Sequence, residues 1–193
     1  VPHLSSGDLF RHHVGAGSEL GRLAKSYLDR GMLVPDGVTV EMVDKRLNDP
    51  EFEQGAVLDG FPRGVAQARS LDDLLTRRAA AVGMVADLRV RPEIVLQRLS
   101  GRWNCQAHGH IFHSQTHPPA RPGICDIDGS PLVQRDDDRP ETVSRRIQDY
   151  QEWAPPMERY YRERGVLVEI DGEQPEQQVT ESLLREVKRR FPA

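Results

Sequence analysis

The sequence predicts an α/β protein: a parallel sheet flanked by helices and interrupted by a small β-rich insert. Two short apolar runs, Ala56 to Leu58 before Asp59-Gly60 and Val166 to Ile170 before Asp171-Gly172, read as buried strands closed by turns. Segments of helical periodicity lie before, between and after them, and such alternation argues for parallel strands covered on both faces. Residues 101 to 138 break the pattern with glycine, proline, histidine and both cysteines, and so read as an inserted subdomain.

At 193 residues the chain is long enough for one sizeable core plus a small insert. Its net charge is -4, from 26 basic and 30 acidic side chains. That balance lacks the global basic footprint of a nucleic-acid binder. No apolar run reaches membrane-spanning length and no secretory signal is visible. Two cysteines do not make a disulfide scaffold, so the expected location is the cytoplasm.

Taken in order, Ser5-Ser6-Gly7-Asp8 is a helix-start signal: a serine oxygen can cap free N–H groups, and Asp8 suits the positive end. The helix it opens covers Leu9 to Val14, while Val1 to Leu4 is too short to assign. A clearer helix starts at Ser18, with Leu20, Leu23, Ala24, Tyr27 and Leu28 on one face and Gly31 as its stop. Another spans Gly37 to Asn48, ended by Asp49-Pro50. After Arg63, Val65, Ala68, Leu71, Leu74 and Leu75 share a helical face. Met84 to Val90 is a strand, and Pro92 opens a helix through Leu99. Beyond the insert, a long helix begins near Pro140 and should bend or end at Pro155-Pro156. Val179, Leu183, Leu184 and Val187 mark the last helix.

The chemistry gathers first at Leu58-Asp59-Gly60-Phe61-Pro62-Arg63. Ligands of open α/β sheets bind just past the carboxyl ends of strands. An acid, a bare turn and a guanidinium there can handle an anion and its metal ion, although an ordinary strand-to-helix turn has the same composition.

In the insert, Cys105-x-x-His108 is followed by Cys125-x-x-Asp128, and Gly109 and Gly129 come directly after the two knuckles. Two thiolates, an imidazole and a carboxylate suit tetrahedral Zn²⁺, structural because no coordination position stays open. Free cysteines among solvated polar residues are the competing reading. His110, His113 and His117 are taken as surface or packing residues. Arg98, Arg102, Arg135 and Arg146 bracket the insert, and arginine forks suit crowded phosphate oxygens. The run Asp136 to Asp138 could neutralise them as salt bridges or hinge the insert. The sequence contains neither G-x-x-x-x-G-K-[ST] nor G-x-G-x-x-G.

In this order the features resemble the adenylate kinase family. Ser5-Ser6-Gly7-Asp8 with Arg11, then Gly31 to Val34, then Leu58 to Arg63 with Gln67, resemble its nucleoside monophosphate side. Gly101-Arg102, the Cys105 to Asp128 cluster, Arg135 with Asp137-Asp138, and Glu141-Thr142-Val143 with Arg146 look like its long, zinc-containing lid. The resemblance covers essentially the whole chain.

It implies a P-loop nucleoside monophosphate kinase-like fold and the reversible reaction of ATP and AMP to two ADP with Mg²⁺. Residues 1–101 and 139–193 would form the core, with an AMP-binding helical subdomain over about 5–34 and a lid over 102–138. Ser6, Arg11, Met32, Leu33, Val34, Gly60, Phe61, Pro62, Arg63 and Gln67 would hold AMP together with Arg135 and Arg146. The Gln67 amide can both donate to and accept from an adenine edge. Arg102, Ile111, Phe112 and Gln174 would face ATP, with Phe112 as a stacking surface. Arg98, Arg102, Arg135 and Arg146 would surround the transferring phosphoryl, and Asp59 would help hold the water shell of the metal ion. A monomer is implied.

Two departures keep their chemistry: Ser6 for the usual threonine and His108 for a cysteine. The family also opens with a central strand and a lysine-bearing phosphate loop, and this sequence begins just after the corresponding point. The expectation is that Val1 starts a partial sequence whose sheet lacks its central first strand. Alternatives are a kinase for another nucleoside monophosphate, an AMP- or zinc-binding chain without turnover, and a zinc-ribbon protein for nucleic acid, which the acidic charge disfavours.

Overall fold

The computed structural model describes residues 1–30, 32 and 34–192. Its order is β1 (His3–Ser5), α1 (Ser6–Gly15), α2 (Glu19–Leu28), α3 (Asp36–Leu47), β2 (Val57–Asp59), α4 (Val65–Thr76), β3 (Val85–Arg89) and α5 (Pro92–Ser100). The insert follows as β4 (Arg102–Cys105), β5 (Ile111–His113) and β6 (Leu132–Val133). The chain closes with α6 (Pro140–Glu163), β7 (Leu167–Asp171) and α7 (Glu176–Arg190). None of the described helices is long and apolar enough to cross a membrane.

The parallel strands form two pairs. β1 lies beside β2 with Ser5 opposite Asp59, and β3 lies beside β7 with Arg89 opposite Asp171. Of the unassigned residues at the start, His3 and Leu4 are thus in a strand: Val1 to Leu4 carry too little pattern, and the parallel partner 54 positions on supplies the structure. Val57, expected in a buried strand, is exposed, because β2 has a neighbour on one flank only among the described residues.

Helix starts follow local chemistry. Ser5 caps α1 by accepting from the Asp8 N–H, and Ser18 caps α2 by accepting from the Gly21 N–H. Pro92 and Pro140 stand at first helical positions, where a missing N–H costs nothing. Gly21 sits where α2 meets the His13 backbone so closely that no Cβ would fit. The Gly31 stop lies outside the described residues.

α6 corrects one expectation. It runs 24 residues, straight through Pro155-Pro156. The carbonyls that lose partners belong to the exposed Gln151 and Glu152, where water can serve them. Downstream, Tyr160 and Tyr161 are buried beside Ala68 of α4, and this packing holds the second half of the helix in line.

Leu4, Val43, Phe52, Phe61 and Leu71 form one buried cluster, and Phe10, Ala24, Val34 and Met42 a second under α1, α2 and α3. The insert is a three-stranded antiparallel sheet ordered β5-β4-β6. Its own core is only Cys105, Phe112, Cys125 and Leu132. So little apolar area cannot offset the chain entropy of ordering some 35 residues, which leaves the insert in need of a cross-link.

Candidate functional site

The register of β1 and β2 decides where the first group of side chains meets. With Ser5 opposite Asp59, Ser6 and Gly60 leave their strands together, and the Ser6 hydroxyl donates to the Gly60 carbonyl at 2.8 Å. Gly60 has φ +69°, and a Cβ there would lie 2.8 Å from Ser6 Oγ and 2.9 Å from Arg63 Nη2. Arg63 Nε donates to the same carbonyl at 2.8 Å, so one bare turn aims two side chains. The Phe61-Pro62 peptide is cis. Phe61 is buried in the first core cluster.

Three of the expected arginines converge here. Burial pushes the Arg63 guanidinium below its usual range and the nearby charge of Arg146 pushes it further, with Asp59 opposing. Arg146 Nη1 donates to the Asp137 carbonyl at 3.2 Å and stands 4.0 Å from its carboxylate, and Arg11 Nη1 lies 3.9 Å from the same carboxylate. Arg11 also donates to Asp8 at 2.6 Å; this bond, with a smaller contribution from the charge of Arg135, holds the Asp8 carboxyl below its usual range. An excess of guanidinium over carboxylate at a strand end is an anion site in waiting.

Gln67 completes this side. Its Oε1 accepts the Arg63 backbone N–H at 2.8 Å and its Nε2 donates to Asp36 Oδ1 at 2.7 Å. Val34 is buried and Met32 exposed, while Leu33 lies outside the described residues. Asp59 is exposed at the end of β2, 3.4 Å from His3 Nε2.

The second group lies where the insert joins α5 and α6, at the end of the other strand pair. Arg98 Nη1 donates to the Gly172 carbonyl at 2.8 Å, and Gln174 Nε2 to Asp171 at 3.2 Å, just past β7. Arg102 grips Asp138 with two bonds, 2.9 Å from Nε and 2.5 Å from Nη2, and Asp138 is 0% exposed. The acidic run thus divides its partners: Asp136 takes Arg139, Asp137 takes Arg11 and Arg146, and Asp138 takes Arg102. Ile111 is exposed. Phe112 is not available as a stacking face: strand alternation turns it inward, 3% exposed, into the insert core beside the cysteines and His117.

The third group is in the insert. The two knuckles are built alike. Gly109 N donates to the Cys105 carbonyl and Gly129 N to the Cys125 carbonyl, both at 2.9 Å. Cys105 N donates to the His110 carbonyl and Cys125 N to the Ser130 carbonyl, both at 2.8 Å. The donor atoms of Cys105, His110, Cys125 and Asp128 all lie within 4.8 Å of one another. His110 Nδ1 is 3.2 Å from Asp128 Oδ2 and 3.4 Å from Cys125 Sγ. His108 Nδ1 is 2.9 Å from Asp128 Oδ2 but stays outside the mutual set, its side chain 67% exposed against 31% for His110. The sequence reading therefore missed His110, which comes to the centre through the Cys105–His110 backbone bond and not through knuckle spacing.

This donor set fits Zn²⁺: two soft thiols, an imidazole and a carboxylate around one point. The Cys105 hydrogen bond above all, then the Ser130 N–H and His108, hold the Asp128 carboxyl far below its usual range, so it is ready as an anion. Burial pushes the Cys125 thiol up, so metal binding there would expel a proton.

Comparison with known proteins places this geometry. A family model described as adenylate kinase matches residues 1–166. The chain is 43% identical over 190 residues to an adenylate kinase of Streptomyces avermitilis, an alignment covering 98% of this chain and 86% of the relative. It is 47% identical over 174 residues to an adenylate kinase of Moorella thermoacetica, covering 90% and 80%. An Anaeromyxobacter adenylate kinase is 44% identical over 172 residues, covering 89% and 80%.

Proposed function

The chain belongs to the adenylate kinase family, and from that membership we propose how its residues divide the work of a nucleoside monophosphate kinase. The reaction is reversible phosphoryl transfer, ATP and AMP giving two ADP. The observation that carries the assignment of sides is the shared approach of Arg11 and Arg146 to Asp137, with Arg63 near enough at the carboxyl end of β2 to feel the charge of Arg146.

AMP takes that corner. Its phosphate competes with the Asp137 carboxylate for Arg11 and Arg146 and meets Arg63, while Ser6 and Gly60 hold the turn that aims Arg63. Gln67 reads the base, with Met32, Val34 and Phe61-Pro62 forming the wall. ATP lies on the other side, against Arg98, Arg102, Ile111 and Gln174. Arg98, Arg102, Arg135 and Arg146 supply positive charge around the transferring group. Positioning and charge stabilisation do the work, and no covalent enzyme intermediate is needed. Asp59, exposed at the end of β2, would hold the water shell of a Mg²⁺ bound with ATP, an ion that would supply charge neutralisation at the phosphates.

Residues 102–138 act as a lid between α5 and α6, closing over bound nucleotide to exclude water. Cys105, His110, Cys125 and Asp128 hold a structural Zn²⁺ there, with His108 as an outer partner of Asp128. Residues 1–101 and 139–193 form the core of a cytoplasmic monomer.

The test is ADP formation by the full chain from ATP, AMP and Mg²⁺, with GMP, CMP and UMP as rival acceptors. Arg63→Ala or Arg146→Ala should lower kcat/KM for AMP by about 100-fold or more. Binding of AMP with no ADP formed would overturn the catalytic reading. Faster turnover of another acceptor would overturn the choice of AMP.

A further inference from the structure

Gln67 is held at both ends of its amide by groups of fixed character. On the oxygen side stands the Arg63 backbone N–H, which can only donate, at 2.8 Å. On the nitrogen side stands Asp36, whose carboxylate can only accept when ionised, at 2.7 Å. Turning the amide over would set NH₂ against N–H and carbonyl oxygen against carboxylate. Gln67 is 2% exposed, so water cannot relieve either mismatch.

Asp36 is the first residue of α3, a usual place for a stabilising acid. Its carboxylate reaches across 31 residues of sequence to Gln67.

We propose that Asp36 is a positioning residue that fixes the base preference of the acceptor site by locking the Gln67 amide in one orientation. This rests on the reading that Gln67 meets the acceptor base. An amide has two acceptor sites on oxygen and two donor hydrogens on nitrogen. One of each is occupied by Arg63 and Asp36, leaving one lone pair and one N–H, which a base reaches only when the residues covering Gln67 move aside. Adenine matches that remainder, its N6 amino group donating to the oxygen and a ring nitrogen accepting from the N–H. A 6-oxopurine carries an acceptor oxygen where adenine has the amino group. It could be satisfied only by the turned amide, which the two fixed neighbours oppose. Selectivity then comes from the neighbours as much as from Gln67 itself.

The discriminating probes are AMP and IMP, which differ at position 6 and in the protonation of N1, with no added 2-amino group. Binding of each to the full chain is measured by calorimetry, for the wild type, Asp36→Ala and Gln67→Ala. The expected result is that Asp36→Ala narrows the AMP:IMP affinity ratio by about tenfold, the value of one hydrogen-bond constraint. Much of the change should be a gain for IMP. A helix-start role alone would weaken both nucleotides together and leave the ratio unmoved, which overturns the proposal. If Asp36→Ala does not fold by circular dichroism, Asp36→Asn keeps the volume and can pair with either amide orientation, and the same narrowing is expected. A ratio left intact by Gln67→Ala, or no AMP binding by the wild type, would defeat the underlying base-reading role. A ratio that collapses in Gln67→Ala but survives both Asp36 variants would defeat this inference alone.

Discussion

Ser6 and Gly60 lie 54 positions apart, and one 2.8 Å hydrogen bond from hydroxyl to carbonyl joins the ends of β1 and β2. The same carbonyl accepts from Arg63 Nε, so the aim of the guanidinium proposed to meet the AMP phosphate depends on a backbone turn with φ +69°. Gly60→Ala should therefore cost about 2 kcal/mol or more, from the left-handed backbone and the contacts its Cβ would force. Ser6→Ala should cost about 1 kcal/mol, because the carbonyl keeps its bond to Arg63. Urea denaturation of both variants checks the order, and AMP titration should show the larger affinity loss for Gly60→Ala. Equal stability of Gly60→Ala and wild type would refute the strain argument.

Arg102 and Asp138 form a charge pair whose members differ in burial. The carboxylate is 0% exposed, whereas the guanidinium is 24% exposed and can turn toward water. Arg102→Ala strands a buried anion and should lower stability by about 3–5 kcal/mol. Asp138→Ala leaves a cation with a route to solvent and should cost less, about 1–3 kcal/mol. Chemical denaturation of the two single variants measures the difference, and a larger loss for Asp138→Ala would show that the geometry has been misread. Because the pair joins the start of β4 to the turn before α6, both variants should also loosen the insert.

Much of this was legible in the sequence because it is locally determined. Ser18, Pro92 and Pro140 announce helix starts by capping chemistry or by a missing donor, and the structure places α2, α5 and α6 accordingly. The corner formed by Ser6, Gly60 and Arg63 was legible as a set of residue types but not as a set of bonds. His110 was invisible because its approach to the cysteines depends on a backbone bond to Cys105, whereas the repeated C-x-x spacing points to His108. Phe112 received a stacking role from the family resemblance alone; strand alternation turned it inward instead. Asp36 drew no reading from the sequence, since nothing local signals a contact with Gln67.

The insert offers a test of its donor set. Protein purified without added zinc should carry about one zinc per chain, and the two thiols should react with a thiol reagent only after chelation. Cys105→Ala should lower the stability of the insert more than it lowers AMP affinity. His110→Ala should weaken zinc more than His108→Ala, whose effect through Asp128 should be about 10–100-fold. Absence of metal in the purified protein would remove the zinc reading, and a greater effect of His108→Ala would return His108 to the ligand set.

Arg91 and Glu173 tie the start of α5 to the turn after β7. The hydrogen bond from the Arg91 side chain, followed by that from its backbone N–H, holds the Glu173 carboxyl at about 2. A depressed folded-state value means that the carboxylate form stabilises the native state. The contribution is complete above the ordinary value of 4.5 and is lost as pH falls through about 2. Glu173→Gln should therefore be less stable than wild type at neutral pH, with the gap closing between roughly pH 4.5 and 2. The pair is solvent-exposed, so the gap should be small and should shrink further in high salt. Paired urea melts across that pH range decide it. A gap that widens toward acid would mean that the carboxyl is stabilised in its protonated form, the reverse of the contact seen with Arg91.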